Sequence, residues 1–121
     1  MSSISPKLTP CVFLLPLAYN DGTPVQPERQ EQLLEAIFVE FGGYTIEGKV
    51  KGAYRRQDTG EKQVEELLKV KVSVEGAAAV ERLKQLVSEI GGELDQESMY
   101  FEVSSGSSAE LLPSQKKQGG K

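Results

Sequence analysis

Histidine is missing from all 121 residues, and cysteine occurs once, as Cys11. The first absence removes the commonest general base near neutral pH and the commonest zinc ligand. A lone cysteine admits no internal disulfide and no thiolate cluster, so Cys11 reads as a small buried hydrophobe. A surplus of positive charge is also lacking. The net charge of −4 gives no general attraction for phosphates, and nucleic acid is not an expected partner. The apolar run "LTPCVFLLPLA", Leu8 to Ala18, is too short to span a bilayer. Pro10 and Pro16 interrupt it and no small-residue cleavage pattern follows, which argues against a secretory signal. A cytoplasmic protein without a membrane partner is the expectation. The chain carries no nucleophile elbow, phosphate loop or dinucleotide fingerprint, and no acidic spacing that fits a calcium loop. No cofactor and no metal are therefore expected, and Glu28, Glu31, Glu35 and Glu40 read as a solvated helix face.

What is present is a clear alternation of periods. Residues 1–7 form a polar leader, and Leu8 to Ala18 reads as a central strand with both faces covered. "YNDGTPVQP" is dense in turn formers. Leu33, Leu34, Ile37, Phe38 and Phe41 then recur at helical spacing, with Pro27 suited to the first turn and Gly42-Gly43 to the end. From Tyr44 the period drops to two. Tyr44, Ile46, Val50 and Tyr54 share one parity with Gly48 and Gly52, and Thr45, Glu47, Lys49, Lys51 and Arg55 share the other. This pattern predicts a strand whose apolar parity meets the helices and whose charged parity is wet. "RQDTGE" is a turn, Glu61 to Glu66 is either strand or exposed loop, and Val70, Val72 and Val74 mark another half-wet strand. A second helical stripe, Val80, Leu83, Leu86, Val87 and Ile90, is expected to end at Gly91-Gly92. Met99, Phe101 and Val103 alternate in a closing strand, and the Ser/Gly/Lys-rich segment 104–121 reads as an unstructured tail.

The order strand, helix, strand, strand, helix, strand predicts an α+β fold over residues 8–103. It is a ferredoxin-like βαββαβ plait, with a four-stranded antiparallel sheet and both helices on one face. The open sheet face, a polar rim around an apolar centre, suits a homo-oligomer, either trimer or dimer.

The basic cluster Lys49, Lys51, Arg55, Arg56 and Lys62 offers bidentate donors for a small anionic ligand or an acidic protein partner. The same residues equally suit an edge strand guarded against aggregation. "GYTIEGKVKGAYRRQDTGE" followed by "LLKVKVSVEG" resembles the second strand, exposed loop and third strand of the P-II-like signalling proteins. The resemblance implies an oligomeric, non-enzymatic regulatory module that binds a small effector near Gly52 and Gln57. It further implies that the Arg55–Glu66 loop is presented to a partner. Candidate binding residues are thus Lys49, Lys51, Gly52, Arg55, Arg56 and Gln57. The alternative is a small enzyme of the dimeric ferredoxin-like type with a cleft between helices and sheet. Its catalyst would come from Tyr44, Tyr54, Tyr100 or an acidic residue.

Overall fold

The apolar run becomes the middle of a sheet. In the computed structural model, which describes residues 8–104 and 109–115, β1 spans Leu8–Pro16 and pairs antiparallel on both sides. The other elements are α1 (Pro27–Phe41), β2 (Thr45–Arg55), β3 (Lys62–Glu75), α2 (Ala77–Glu93), β4 (Ser98–Val103) and β5 (Ala109–Pro113). The strands form one antiparallel sheet of order β2-β3-β1-β4-β5. Among the described residues the fold is therefore α+β with two helices and five strands, where four strands were expected. The added strand, β5, lies in the segment read as an unstructured tail. It forms because Ala109 to Pro113 can complete the ladder of β4 and is anchored to α2. The Ser88 hydroxyl donates to the Pro113 carbonyl at 2.5 Å and accepts from the Gln115 N–H at 3.1 Å. The leader 1–7 and the end of the tail lie outside the described residues.

Both helices cover the same face. Leu33, Leu34 and Ile37 of α1 and Leu83, Leu86, Val87 and Ile90 of α2 join one buried cluster with Cys11, Phe13 and Leu15 of β1 and Val70, Val72 and Val74 of β3. Phe13 and Phe101 stand opposite each other across the β1–β4 ladder, and both are fully buried. Each contributes about 2–3 kcal/mol of burial. Gly42 takes the left-handed conformation (φ 86°) that ends α1, its N–H donating to the Phe38 carbonyl at 2.8 Å. Helix α2 does not stop at Gly91-Gly92 as expected but continues to Glu93. Close approach is the reason. A Cβ on Gly91 would fall 2.3 Å from the Ser114 hydroxyl and 2.6 Å from Met99, so the glycine admits β4 and the β5 tail against the helix. Among the described residues no helix is long and apolar enough to cross a membrane.

Strand β2 departs furthest from its expected orientation. It is extended throughout, but its register breaks between Ile46 and Gly48, where Gly48 adopts φ 122°. One extra residue on one strand moves every later side chain to the opposite face. Before the bulge Thr45 pairs with Lys71, and beyond it Val50, Gly52 and Tyr54 pair with Leu67, Glu65 and Gln63. Opposed residues share a face, so Val50, Gly52 and Tyr54 lie on the helix-free side, while Lys49 and Lys51 turn toward the helix side. The prediction that Tyr54 shares a face with Ile46 is corrected. Nor does β2 pack on the helices: none of its residues belongs to the buried core, and Ile46 and Tyr54 remain 40% and 45% exposed.

Candidate functional site

A cleft of about 540 Å³ opens on the helix-free face, where β1 ends and the β2–β3 hairpin turns. That volume suits a ligand of nucleoside size. Leu14, Pro16 and Leu67 form an apolar floor. Tyr54 and Glu65 stand on one flank, Ser98 and Tyr100 on the other. Asn20, Gln96 and Glu97 close one end, and the hairpin residues Arg55, Arg56, Gln57 and Asp58 form the rim.

Three local features shape this cleft. Glu65 lies opposite Gly52, where a side chain is missing. The Tyr54 ring folds back into that space, so a Cβ on Gly52 would meet its hydroxyl at 2.3 Å. Desolvation pushes the Glu65 carboxyl up from its ordinary range. Burial also raises Tyr54, helped by the Glu65 charge and then by Tyr100, and all three groups line the same cleft. An aromatic pair beside a partly desolvated carboxylate on an apolar floor can hold a flat heterocycle together with a positive charge.

The rim is differently built. The Arg56 guanidinium makes a bidentate pair with Asp58, at 3.0 Å and 2.8 Å. That pairing, chiefly its hydrogen bond, holds Asp58 down at about 2. Arg55 instead donates to the Gly60 carbonyl at 3.1 Å, tying the turn together. At the far end the Asn20 amide donates to the Asp95 carbonyl at 2.7 Å, and Arg29 pairs with Glu93. The first contact joins the loop after β1 to the turn that carries Gln96 and Glu97, and the second joins α1 to the end of α2.

The six candidate residues therefore separate. Arg55, Arg56 and Gln57 line the cleft and Gly52 lies against the Tyr54 ring without lining it, whereas Lys49 and Lys51 are exposed on the other side of β2. Residues 62–66 belong to β3 and are paired along their length, which corrects the reading of Arg55 to Glu66 as one exposed loop. Tyr54 and Tyr100 of the alternative enzyme reading do line one cleft, which lies on the open sheet face rather than between helices and sheet. Tyr44 does not line it. Glu65 was missed as a partner of these tyrosines. Its only sequence signal is that it shares the parity of Leu67 across from a glycine.

No protein-family model matches the chain, and no curated protein matches it. Two solved chains resemble it in structure. A phage SAM lyase in complex with S-methyl-5'-thioadenosine superposes with a TM-score of 0.72 over 98% of this chain and 98% of its own, at 15% identity. A phage SAM lyase in the apo state superposes with a TM-score of 0.67 over the same shares, also at 15% identity. Neither comparison bears on the P-II-like resemblance. At this identity the likeness establishes a shared fold, and both neighbours are enzymes. With enzymes as its structural neighbours, the expectation of a non-enzymatic regulatory module is corrected.

Proposed function

We propose that the chain is a lyase that acts on S-adenosylmethionine, or on a close adenosyl sulfonium, in the cleft between Tyr54, Glu65 and Tyr100. We also read the β4-β1-β3-β2 portion of the sheet, with its two helices, as a ferredoxin-like plait to which β5 is appended. The observation that carries the functional reading is the joint one. The fold matches that of a SAM lyase over nearly the whole chain, and the cleft on its helix-free face combines aromatic rings, a carboxylate and an apolar floor.

The chemistry asks little that this chain lacks. Release of S-methyl-5'-thioadenosine requires heterolysis of one carbon–sulfur bond, with the electron pair passing to sulfur and leaving a neutral thioether. The remaining four-carbon fragment satisfies its own electron deficiency by proton loss or by ring closure through its carboxylate oxygen, and no water is added. Histidine is not needed. In this reading Tyr54 and Tyr100 flank the adenine, and Glu65 attracts the sulfonium. The floor of Leu14, Pro16 and Leu67 keeps water from the sulfur. Positive charge disperses as the bond breaks, so poorly solvating walls favour the transition state over the ground state.

The test is direct. Purified protein incubated with S-adenosylmethionine should yield S-methyl-5'-thioadenosine in step with substrate loss, followed by mass spectrometry. Tyr54→Ala should lower kcat/KM by at least tenfold, about the value of one lost aromatic stack. Folded protein that forms no thioether at millimolar substrate overturns the proposal.

A further inference from the structure

The cleft is asymmetric, and so is the substrate proposed for it. Its aromatic part is uncharged apart from Glu65, while its rim carries Arg56 and Asp58 on the hairpin and Glu97 on the turn before β4. An adenosyl sulfonium has an aromatic end and an α-amino-acid end that bears both a carboxylate and an ammonium. Resting on the lyase reading, we propose that Arg56 and Glu97 form a two-sided clamp for the amino-acid end, with Asp58 occupying the carboxylate's place until substrate arrives.

Three observations separate these residues from their neighbours. Arg55 donates to the backbone at Gly60 and is committed to the turn, but Arg56 is paired with a side chain that can be exchanged. Its bond to Asp58 is the fork geometry that a substrate carboxylate would reproduce. Both partners remain well exposed, at 42% and 61% of their side chains, so the exchange opens no buried void. Arg56, Asp58 and Glu97 line the same cleft, and the Asp58 pairing first, with Glu61 and Glu97 adding to it, favours the charged form of Arg56. The Glu97 backbone is itself fixed, because the Ser114 N–H donates to its carbonyl at 3.0 Å. An ammonium brought between them by the carboxylate on Arg56 meets the Glu97 charge. A product thioether lacks both groups and makes neither contact, so the clamp also distinguishes substrate from product.

Steady-state kinetics with S-adenosylmethionine, and inhibition by S-methyl-5'-thioadenosine, test the clamp. Arg56→Gln and Glu97→Gln should each raise KM about tenfold, with kcat and the inhibition constant of the thioether within about threefold of the wild type. Asp58→Asn should act in the opposite sense and lower KM, because it removes the competitor for Arg56. This variant keeps the test decisive if a charge-deleting variant folds poorly. If KM and the inhibition constant rise together, or neither moves, or Asp58→Asn raises KM, the clamp is wrong while the lyase reading stands. If the folded wild type forms no thioether from S-adenosylmethionine, the lyase reading fails and takes the clamp with it.

Discussion

Glu65 sits where burial opposes its charge, and this makes it costly to the fold as well as useful to the site. Its folded-state pKa lies above the ordinary value of 4.5. The neutral carboxyl therefore stabilises the native state in acid, and that contribution is lost as pH rises from the unfolded value through the raised folded one. Glu65→Gln, which keeps the shape without the charge, should unfold at higher denaturant than the wild type at pH 7 and at the same concentration near pH 4. The gain should not exceed about 1 kcal/mol, because the residue is only partly shielded from solvent. A variant less stable than the wild type at pH 7 would show that the carboxylate is instead satisfied in place. Such a stability gain coupled to lost turnover is the pattern expected of a group kept for chemistry. In the sequence Glu65 is one of two adjacent glutamates, and alternation along β3 decides that it, not Glu66, faces the cleft.

Among the elements, β2 governs the site. Its bulge at Gly48 converts a strand with lysines on the outer face into one that turns Gly52 and Tyr54 toward the cleft. No atom lies within 4 Å of a Cβ built on Gly48, so a substitution meets open space and its cost is purely conformational. Gly48→Ala should destabilise the protein by about 1–2 kcal/mol in urea unfolding. It should also weaken binding of S-methyl-5'-thioadenosine, since a strand that relaxes by one residue carries Tyr54 to the other face. Unchanged stability together with unchanged binding would show that the bulge does not shape the cleft. Period-two alternation made this strand legible and its faces illegible. A glycine on the apolar parity can mark either a close contact or a bulge, and local sequence does not choose between them. The Gly91-Gly92 pair posed the same ambiguity in α2. Those glycines looked like a terminus because termini favour glycine, but tight packing of Gly91 against Met99 and Ser114 also requires it.

For the molecule as a whole, the proposed ligand should bind the native state and not the unfolded chain. A concentration 100 times the dissociation constant then adds about 2.7 kcal/mol. For a chain of 121 residues this corresponds to a rise in melting temperature of roughly 10 °C. Thermal denaturation with S-methyl-5'-thioadenosine checks it, and a midpoint independent of the thioether would count against the cleft as its site.

The order and type of six elements, the central place of β1 and most of the core-facing stripe of each helix were determined by the sequence alone. Hydrophobic period and turn chemistry are local properties, and the tertiary fold had no reason to override them. Three matters were decided only in three dimensions: the phase of β2 after Gly48, the recruitment of Ala109 to Pro113 into the sheet, and the meeting of Tyr54, Glu65 and Tyr100. Each depends on what lies opposite in space. The partner of Glu65 is a glycine on another strand, and the partner of β5 is an open edge left by β4.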